Sequence, residues 1–598
     1  MINFLPKQLM VFDPLALFFL ALIGLVCIPS AIFSIGYLRE ETFKKKMVAW
    51  ALLIIFVLSM CLVVMSANLF SFLIFWELMS LASYFLVVFD FKHEKSIRAG
   101  TIYLVMTHIG TACLMAAFFI LYNYARSFDY AAVKQIAVFM PAQVKNIIFL
   151  LLLAGFATKA GVVPMHIWLP YAHPQAPSHI SSIMSGVMIK VALYGVIRFL
   201  IMILGTGPAW WGALIISLGI VSCLVGIIYA LMNHDLKRLL AYSSVENIGI
   251  ILLCIGMAML FAGLGISAVA ALGMCAGLYH LINHGLFKGL LFLCSGSVFK
   301  ATGLRDMEKM GGLIKTMPQT ALFFLIGAMG ISALPPLNGF VSEWLAFQAF
   351  FSGVMQSHGV VKIFMVLSAA ALALTSGLAG ACFVKAFGIT FLAQPRSARA
   401  REAKEVGLSM KAGMALLAVP VILLGIGASF FAPLILRISG AILGAEGTGA
   451  SFYIVSVLPP AILATLIIFG AAIFFWFRFG LRTKQVSYNT WDCGYYAIDS
   501  RNEYTATAFS KPFRIAFSFF LLPYRKSEKI RDSFYHIRRF AYETHTTPIF
   551  KRYFYKPLIN LVYSTAFKMR KLQPGSIHLY ILYIFVTLAA LVAISTIF

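Results

Sequence analysis

Apolar runs of about 20 residues, the length that crosses a bilayer as a helix, recur fourteen times along the chain. They fall near 14–37, 47–66, 69–89, 101–124, 146–168, 180–203, 210–232, 239–261, 266–298, 319–353, 361–393, 412–438, 452–478 and 578–598. If successive spans alternate sides, the loops 38–46, 90–98, 233–238, 299–318 and 395–411 lie together, and all are basic. The opposite loops are nearly free of Lys and Arg, except 124–146 with Arg126, Lys134 and Lys145. The asymmetry predicts an all-α polytopic protein of the cell (inner) membrane, with the basic loops cytoplasmic and the N-terminus outside. Asp13-Pro14 precedes the first span, Arg39-Glu40-Glu41 follows it, and no small-residue cleavage site is present, so it reads as a retained span.

Two spans are interrupted near mid-membrane. One holds Lys159 and then Pro164; the other reads SALPPLNGFVSEW, with Pro335, Pro336 and Gly339 ahead of Glu343. Proline breaks the hydrogen-bond ladder, and such backbone persists in a membrane only where protein or water covers it. The breaks occur in the fifth and tenth spans. Spans two to six and seven to eleven therefore form five-helix units, each broken in its fourth helix. An odd helix count inverts the second unit, and paired broken helices in inverted repeats mark a conduction or binding site between them. The expected organisation is an N-terminal helix (1–46), a first repeat (47–205), a second inverted repeat (206–395), two further spans (396–478), a basic segment (479–577) and a terminal anchor (578–598).

The basic segment holds 17 Lys/Arg against 6 Asp/Glu, interleaved with aromatics. Such amphipathic sequence lies along a membrane surface, here the cytoplasmic one, where anionic lipid headgroups would hold it. Pro523, Pro548 and Pro557 argue against one unbroken helix.

Composition narrows the reading. The 598 residues are 61% hydrophobic and only 11% charged, with mean hydropathy +0.92. The net charge of +26 would suit nucleic acid, but the charges lie between and after apolar spans, so no nucleic-acid partner is expected. Nine cysteines are scattered singly without metal spacing, so neither zinc nor an iron–sulfur cluster, nor any other cofactor, is expected in this chain. Gly263, Gly265 and Ala268 match a loose dinucleotide fingerprint but lack any βαβ context.

Against this background, ionisable residues deep in apolar runs stand out. Lys159 follows about a dozen apolar positions, at a depth where an ammonium costs roughly 2.5–3.5 kcal/mol, so it is a functional candidate by default. Glu77, Lys190, Glu343 and Lys385 occupy similar settings, Lys385 in the cytoplasmic half of its span. His280, His284 and Lys288 are spaced i, i+4 and i+8, drifting only about 80° around a helix, so they share one face. Desolvation and nearby charge move the proton affinity of such groups in opposite senses, so a Glu77–Lys159 pair that approaches and separates would switch Lys159 between holding and releasing a proton. Histidines relay between such points. The set predicts a path for ions, most simply protons. Glu246 and Asn247, about two turns past Arg238, are expected at an interface or an entrance.

At these residues the chain resembles the antiporter-like membrane subunits of proton-pumping NADH–quinone oxidoreductase (complex I) and of Mrp-type cation/proton antiporters. The matching pieces are FWELMSLASYFL, ATKAGVVPMHIWLPYAH, DLKRLLAYSSVENIGII, HLINHGLFKGLLFLCSGSV, and GGLIKTMP running into SALPPLNGFVSEW. The resemblance implies that Glu77 tunes Lys159, that Lys190, His280, His284 and Lys288 form a central polar axis, and that Glu343 is the ionisable group of the second broken helix. SVENIG, VKAFGITFLAQPR and WDCGYYAIDSRNEYTATAFSKPF look like the large membrane subunit of formate hydrogenlyase and hydrogenase-4-type energy-converting hydrogenases. That implies a membrane arm with other subunits beside a cytoplasmic hydrogenase or dehydrogenase module, with electron transfer there driving ions here and no redox centre in this chain. Such relatives usually carry about two more helices before the segment matching VFDPLALFF. The alternatives are a subunit of a cation/proton antiporter or other ion-driven transport complex lacking a redox arm, and a scaffold whose channel is inert.

Overall fold

A computed structural model describes residues 10–444, 470–476, 478, 491–495, 498–500, 502–531, 537–570 and 575–597. Its helices are α1 (Pro14–Tyr37), α2 (Phe43–Met65), α3 (Leu69–Val87), α4 (Glu94–Ala125), α5 (Tyr130–Ala137), α6 (Ala142–Ala160), α7 (Leu169–Gln175), α8 (Ser178–Ile203), α9 (Ala209–Met232), α10 (Leu236–Gly263) and α11 (Ser267–Thr302). They continue as α12 (Pro318–Ile331), α13 (Asn338–Met355), α14 (Gly359–Phe391), α15 (Leu408–Ile426), α16 (Ala428–Leu443), α17 (Ala506–Ala516), α18 (Lys556–Arg570) and α19 (Ile577–Ile597). Among the described residues, twelve helical segments are long and apolar enough to cross a membrane. This is a multi-pass membrane protein. The span expected at 319–353 is the pair of shorter helices α12 and α13, and the one expected at 452–478 lies largely outside the described residues.

Both expected breaks are present. α6 stops at Gly161, whose φ of 78° suits glycine, and Pro164 lies in the turn before a 3-10 stretch that leads into α7. Pro335 and Pro336 lie in the turn between α12 and α13. Gly339 is required one turn later, because a Cβ there would overlap the Gly330 carbonyl oxygen. Each five-helix group, α2 to α8 and α9 to α14, has its break in the fourth span, and the odd count inverts the second group.

Loop contacts support the grouping by sides. Lys300 pairs with Glu40 at 2.7 Å, Met307 N donates to His234 O at 3.0 Å, and Arg396 N donates to Met310 O at 3.1 Å. With Lys45 Nζ 5.9 Å from the centre of the Phe89 ring, all five basic loops fall on one side. At the other end Val11 N donates to Met65 O at 2.8 Å, and Leu69 N to Phe128 O at 2.9 Å.

Three helices, α8, α10 and α11, are almost wholly enclosed by the others. Helices apolar on every face belong in a core. Small residues let them close up: Gly212, Gly219 and Gly226 on α9 recur every seventh residue and meet Gly256, Gly249 and the Glu246 backbone on α10. α8 contains two π-helical stretches, Met184–Met188 and Val196–Ile203. Such widened turns recur at functional positions.

The chain divides into two compact units, Met1–Lys511 and Pro512–Phe598. In the second, the basic segment is not helical throughout: Pro523–Arg531 (β1) and Ile537–Thr546 (β2) pair antiparallel, ahead of a π-helical turn and α18. A run of Tyr, Ile, Phe and Thr among the cations favours strand over helix there.

Candidate functional site

The buried ionisable groups concentrate on the three enclosed helices and the two breaks. Lys159 stands in the last turn of α6, where carbonyls at a helix end favour a cation. Its Nζ donates to Ser80 Oγ at 2.8 Å and Tyr103 OH at 2.9 Å, and lies 5.1 Å from the Tyr103 ring centre. Tyr103 OH in turn shares a 2.6 Å bond with Ser83 Oγ.

Glu77 does not form an ion pair with Lys159. It keeps within electrostatic reach, but its Oε2 faces His108 Nε2 at 3.6 Å, with Glu77 30% and His108 51% exposed. The expected pair is seen in its separated arrangement, with Lys159 satisfied by hydroxyls instead.

Lys190 follows the first π-helical stretch of α8, and its ammonium donates to the Ser185 carbonyl. Ser185 Oγ shares a 2.7 Å bond with Ser244 Oγ on α10. The neighbouring Ser243 Oγ accepts from Lys288 Nζ, which also donates to Leu240 O at 3.1 Å. Lys288 therefore reaches Ser243 directly, and Lys190 is linked through Ser185 to the adjacent Ser244. His284 is fully buried between Lys190, Lys288 and His280, and neither ring nitrogen has a protein hydrogen-bond partner.

Further along α11, His280 Nε2 donates to Asn247 Oδ1 at 3.1 Å, and its Nδ1 lies 3.0 Å from Ser342 Oγ. Asn247 is oriented by its own Nδ2 donating to Ser243 O at 2.8 Å. Glu246 is 1% exposed, within electrostatic reach of Lys288 and Glu343, and its Oε2 has no protein hydrogen-bond partner. Glu246 and Asn247, expected at an interface or an entrance, are instead buried, Asn247 against His280 and Glu246 within reach of Lys288 and Glu343. The close α9–α10 approach at Gly226 encloses them, and nothing in local spacing announces that. Glu343, next to Ser342 on α13, accepts from Ser376 Oγ on α14.

Lys385 is seated apart from this line. Its Nζ donates to Leu231 O at 2.5 Å and Asn233 O at 2.7 Å, closing the C-terminal end of α9, and reaches Ser510 Oγ at 3.3 Å. Pro164, Pro335, Pro336 and Gly339 shape the two breaks and carry no titratable group.

Side chains that the sequence alone did not single out complete the picture. Ser80, Tyr103, Ser185, Ser243, Ser244 and Ser342 receive or extend the lysine and histidine contacts, and small hydroxyls in apolar helices carry no spacing signal. Arg198 and Asp13, 185 positions apart, form a two-pronged ion pair at the side opposite the basic loops, with Arg198 Nη2 to Asp13 Oδ1 at 2.8 Å.

Residues 66–373 match the family described as NADH:quinone oxidoreductase/Mrp antiporter, TM, over just more than half of the chain. The chain belongs to this antiporter family. Every expected site residue except Lys385 lies within the family's matched stretch. The chain is 36% identical to hydrogenase-4 component B of Escherichia coli (strain K12) over 595 residues, covering 97% of this chain and 88% of that protein. It is 35% identical to formate hydrogenlyase subunit 3 of the same strain over 423 residues, 71% of this chain and 67% of that protein. A chain in the structure of the membrane-bound sulfane sulfur reductase, an archaeal respiratory membrane complex, superimposes with a TM-score of 0.77 at 22% identity. That alignment covers 98% of this chain and 89% of the other, and at this identity it speaks for the fold. Antiporter-like architecture is therefore the setting of the buried polar line.

Proposed function

We propose that this chain moves protons across the membrane as an antiporter-like subunit of a multisubunit redox complex of the hydrogenase-4 or formate hydrogenlyase type. One observation carries the reading: buried ionisable and hydroxyl side chains recur from Lys159 at the first break, through Lys190, Lys288, Asn247 and His280 on the three enclosed helices, to Glu343 at the second break. Purely structural helices gain nothing from repeated intramembrane lysines, each of which is costly to insert.

In this reading each lysine holds or releases a proton according to the charge beside it, and hydroxyls and water bridge the steps. Glu77, now facing His108, biases Lys159 when it swings toward it. His280 and His284 pass protons along α11, and Glu343 in the second broken helix is the last buried acceptor. Lys385 closes α9 rather than carrying the proton. The chain supplies no redox centre; other membrane subunits and a cytoplasmic hydrogenase or dehydrogenase module would drive it. The basic loops would face the cytoplasm at the inner membrane, with anionic lipids against the basic segment.

The test uses the complex purified with its native partners and reconstituted into vesicles. Lys159→Ala and Lys288→Ala should each lower proton movement per electron transferred about tenfold or more, equivalent to at least ~1.4 kcal/mol on the transfer barrier. Subunit composition should stay unchanged. Undiminished pumping by both assembled variants would show the line to be inert.

A further inference from the structure

We infer that His173 is a proton-carrying site that joins the buried line to the side of the basic loops. The inference rests on the proton-conducting reading above and deepens it by adding an entry branch. His173 is fully buried in α7, the second half of the first broken helix. Its ring is stacked between Trp168, with centroids 6.3 Å apart and planes at 28°, and Phe292, at 5.2 Å and 25°.

Packing alone does not account for an imidazole here. A flat apolar ring would fill the same slot, whereas both His173 nitrogens lack a protein hydrogen-bond partner. A buried polar group left unsatisfied is costly, a penalty that bridging water removes. Among the described buried histidines, His173 shares this condition with His284, which lies on the line itself. The same logic calls for bridging water at both positions.

Position then decides the role. Three residues on, Ala176 O accepts from Lys237 Nζ at 3.0 Å, and Lys237 lies in the first turn of α10, within the basic loop 233–238. Phe292 is one turn beyond Lys288 on α11, and Trp168 packs 4.9 Å from Tyr103, which holds Lys159. The charged groups facing His173 are Lys190, Lys237 and Lys288, from α8, α10 and α11. α7 therefore carries its histidine to a place where the loop-side lysine and the central lysines converge. In transfer, one ring nitrogen takes a proton from water on the Lys237 side while the other gives its proton to water toward Lys190 or Lys288. The ring stays neutral before and after, with its tautomer exchanged, and rotation of the ring about its Cβ–Cγ bond restores the starting tautomer without undoing the transfer.

The test uses the assembled complex in vesicles with His173→Phe, which keeps the stack, and His173→Gln, which keeps a hydrogen-bonding group that does not titrate near neutrality. Lys288→Ala runs alongside. Both His173 variants should assemble and lose proton movement by about tenfold or more, with the pH dependence of pumping altered, as removal of a positioned acid–base group does. Independently of activity, the His173 ring C2 hydrogen in the wild-type complex should exchange with deuterated water at a measurable rate that follows the ring's titration. Normal pumping by His173→Phe while Lys288→Ala is impaired overturns the site and leaves the conduction reading intact. Absence of C2 exchange overturns it as well, by showing a dry ring. Normal pumping by Lys288→Ala instead strikes the conduction reading, and with it the branch.

Discussion

Asp13 and Arg198 illustrate how single side chains stabilise this protein away from its polar centre. Burial pushes the Asp13 carboxyl up, but the Arg198 hydrogen bond and charge, with the Ala16 N–H, outweigh it and hold the group below the usual carboxylate range. Tyr194 OH bonds Arg198 Nε at 3.1 Å and donates to Val64 O at 2.7 Å, so the pair ties α1, α2 and α8 together. Asp13→Asn should leave the buried guanidinium without its counter-charge and cost about 3 kcal/mol, the low end for such a pair because Asp13 is a quarter exposed. Since the folded carboxyl protonates less readily than the unfolded one, this contribution is complete above about pH 4 and disappears as acidification passes through the folded value. Thermal unfolding in detergent, followed from pH 7 downward, checks both points: the variant should melt lower at pH 7 and converge on wild type in acid.

Helices set where those side chains can meet. The seven-residue glycine spacing on α9 and α10 lets two backbones approach until Gly249 would drive a Cβ into the Cys223 amide. That approach is what places Glu246 and Asn247 against α11. Gly249→Leu should therefore destabilise the chain by about 1–3 kcal/mol through overpacking, and impair proton movement by displacing Asn247 from His280. Gly24→Leu, at a glycine with open space around it, should be close to neutral. Melting midpoints and pumping assays on the two variants separate the cases; equal effects would refute the backbone-approach argument. The breaks were legible because proline and glycine act locally. The glycine seam was not read, since its partners lie on another helix.

Across the molecule, legibility followed the range of the interaction. Span positions and the shared side of the basic loops could be read from hydropathy and charge, because lipid imposes those patterns on every segment separately. Lys159, Lys190, His280, His284, Lys288 and Glu343 were visible because a charge in an apolar run has no local excuse. Glu246 was misplaced, and His173 was not singled out, since their surroundings come from helices far away in sequence. The β-hairpin escaped notice because cations dominate its pattern. Residues 503–510 add a long-range tie: Thr507 N donates to Glu308 at 2.7 Å, Gln394 N donates to Glu503 at 2.9 Å, and Ser510 meets Lys385. Lys385→Met should loosen this strap, raising limited proteolysis within 502–511 several-fold while changing proton movement less than Lys288→Ala does. The reverse ranking would return Lys385 to the conducting set.

A helix that never touches lipid in the finished protein still has to enter lipid when it is made. α11 is wholly enclosed, and it is markedly less apolar than α10 before it. With His280, Asn283, His284 and Lys288 aboard, it is a poor candidate for insertion by itself. Entry as the second arm of a hairpin led by α10 would give its polar groups partners from the start, Ser243 for Lys288 and Asn247 for His280. The residues that serve conduction thus also dictate an order of biogenesis, in which α10 has to be in place before α11 leaves the translocon.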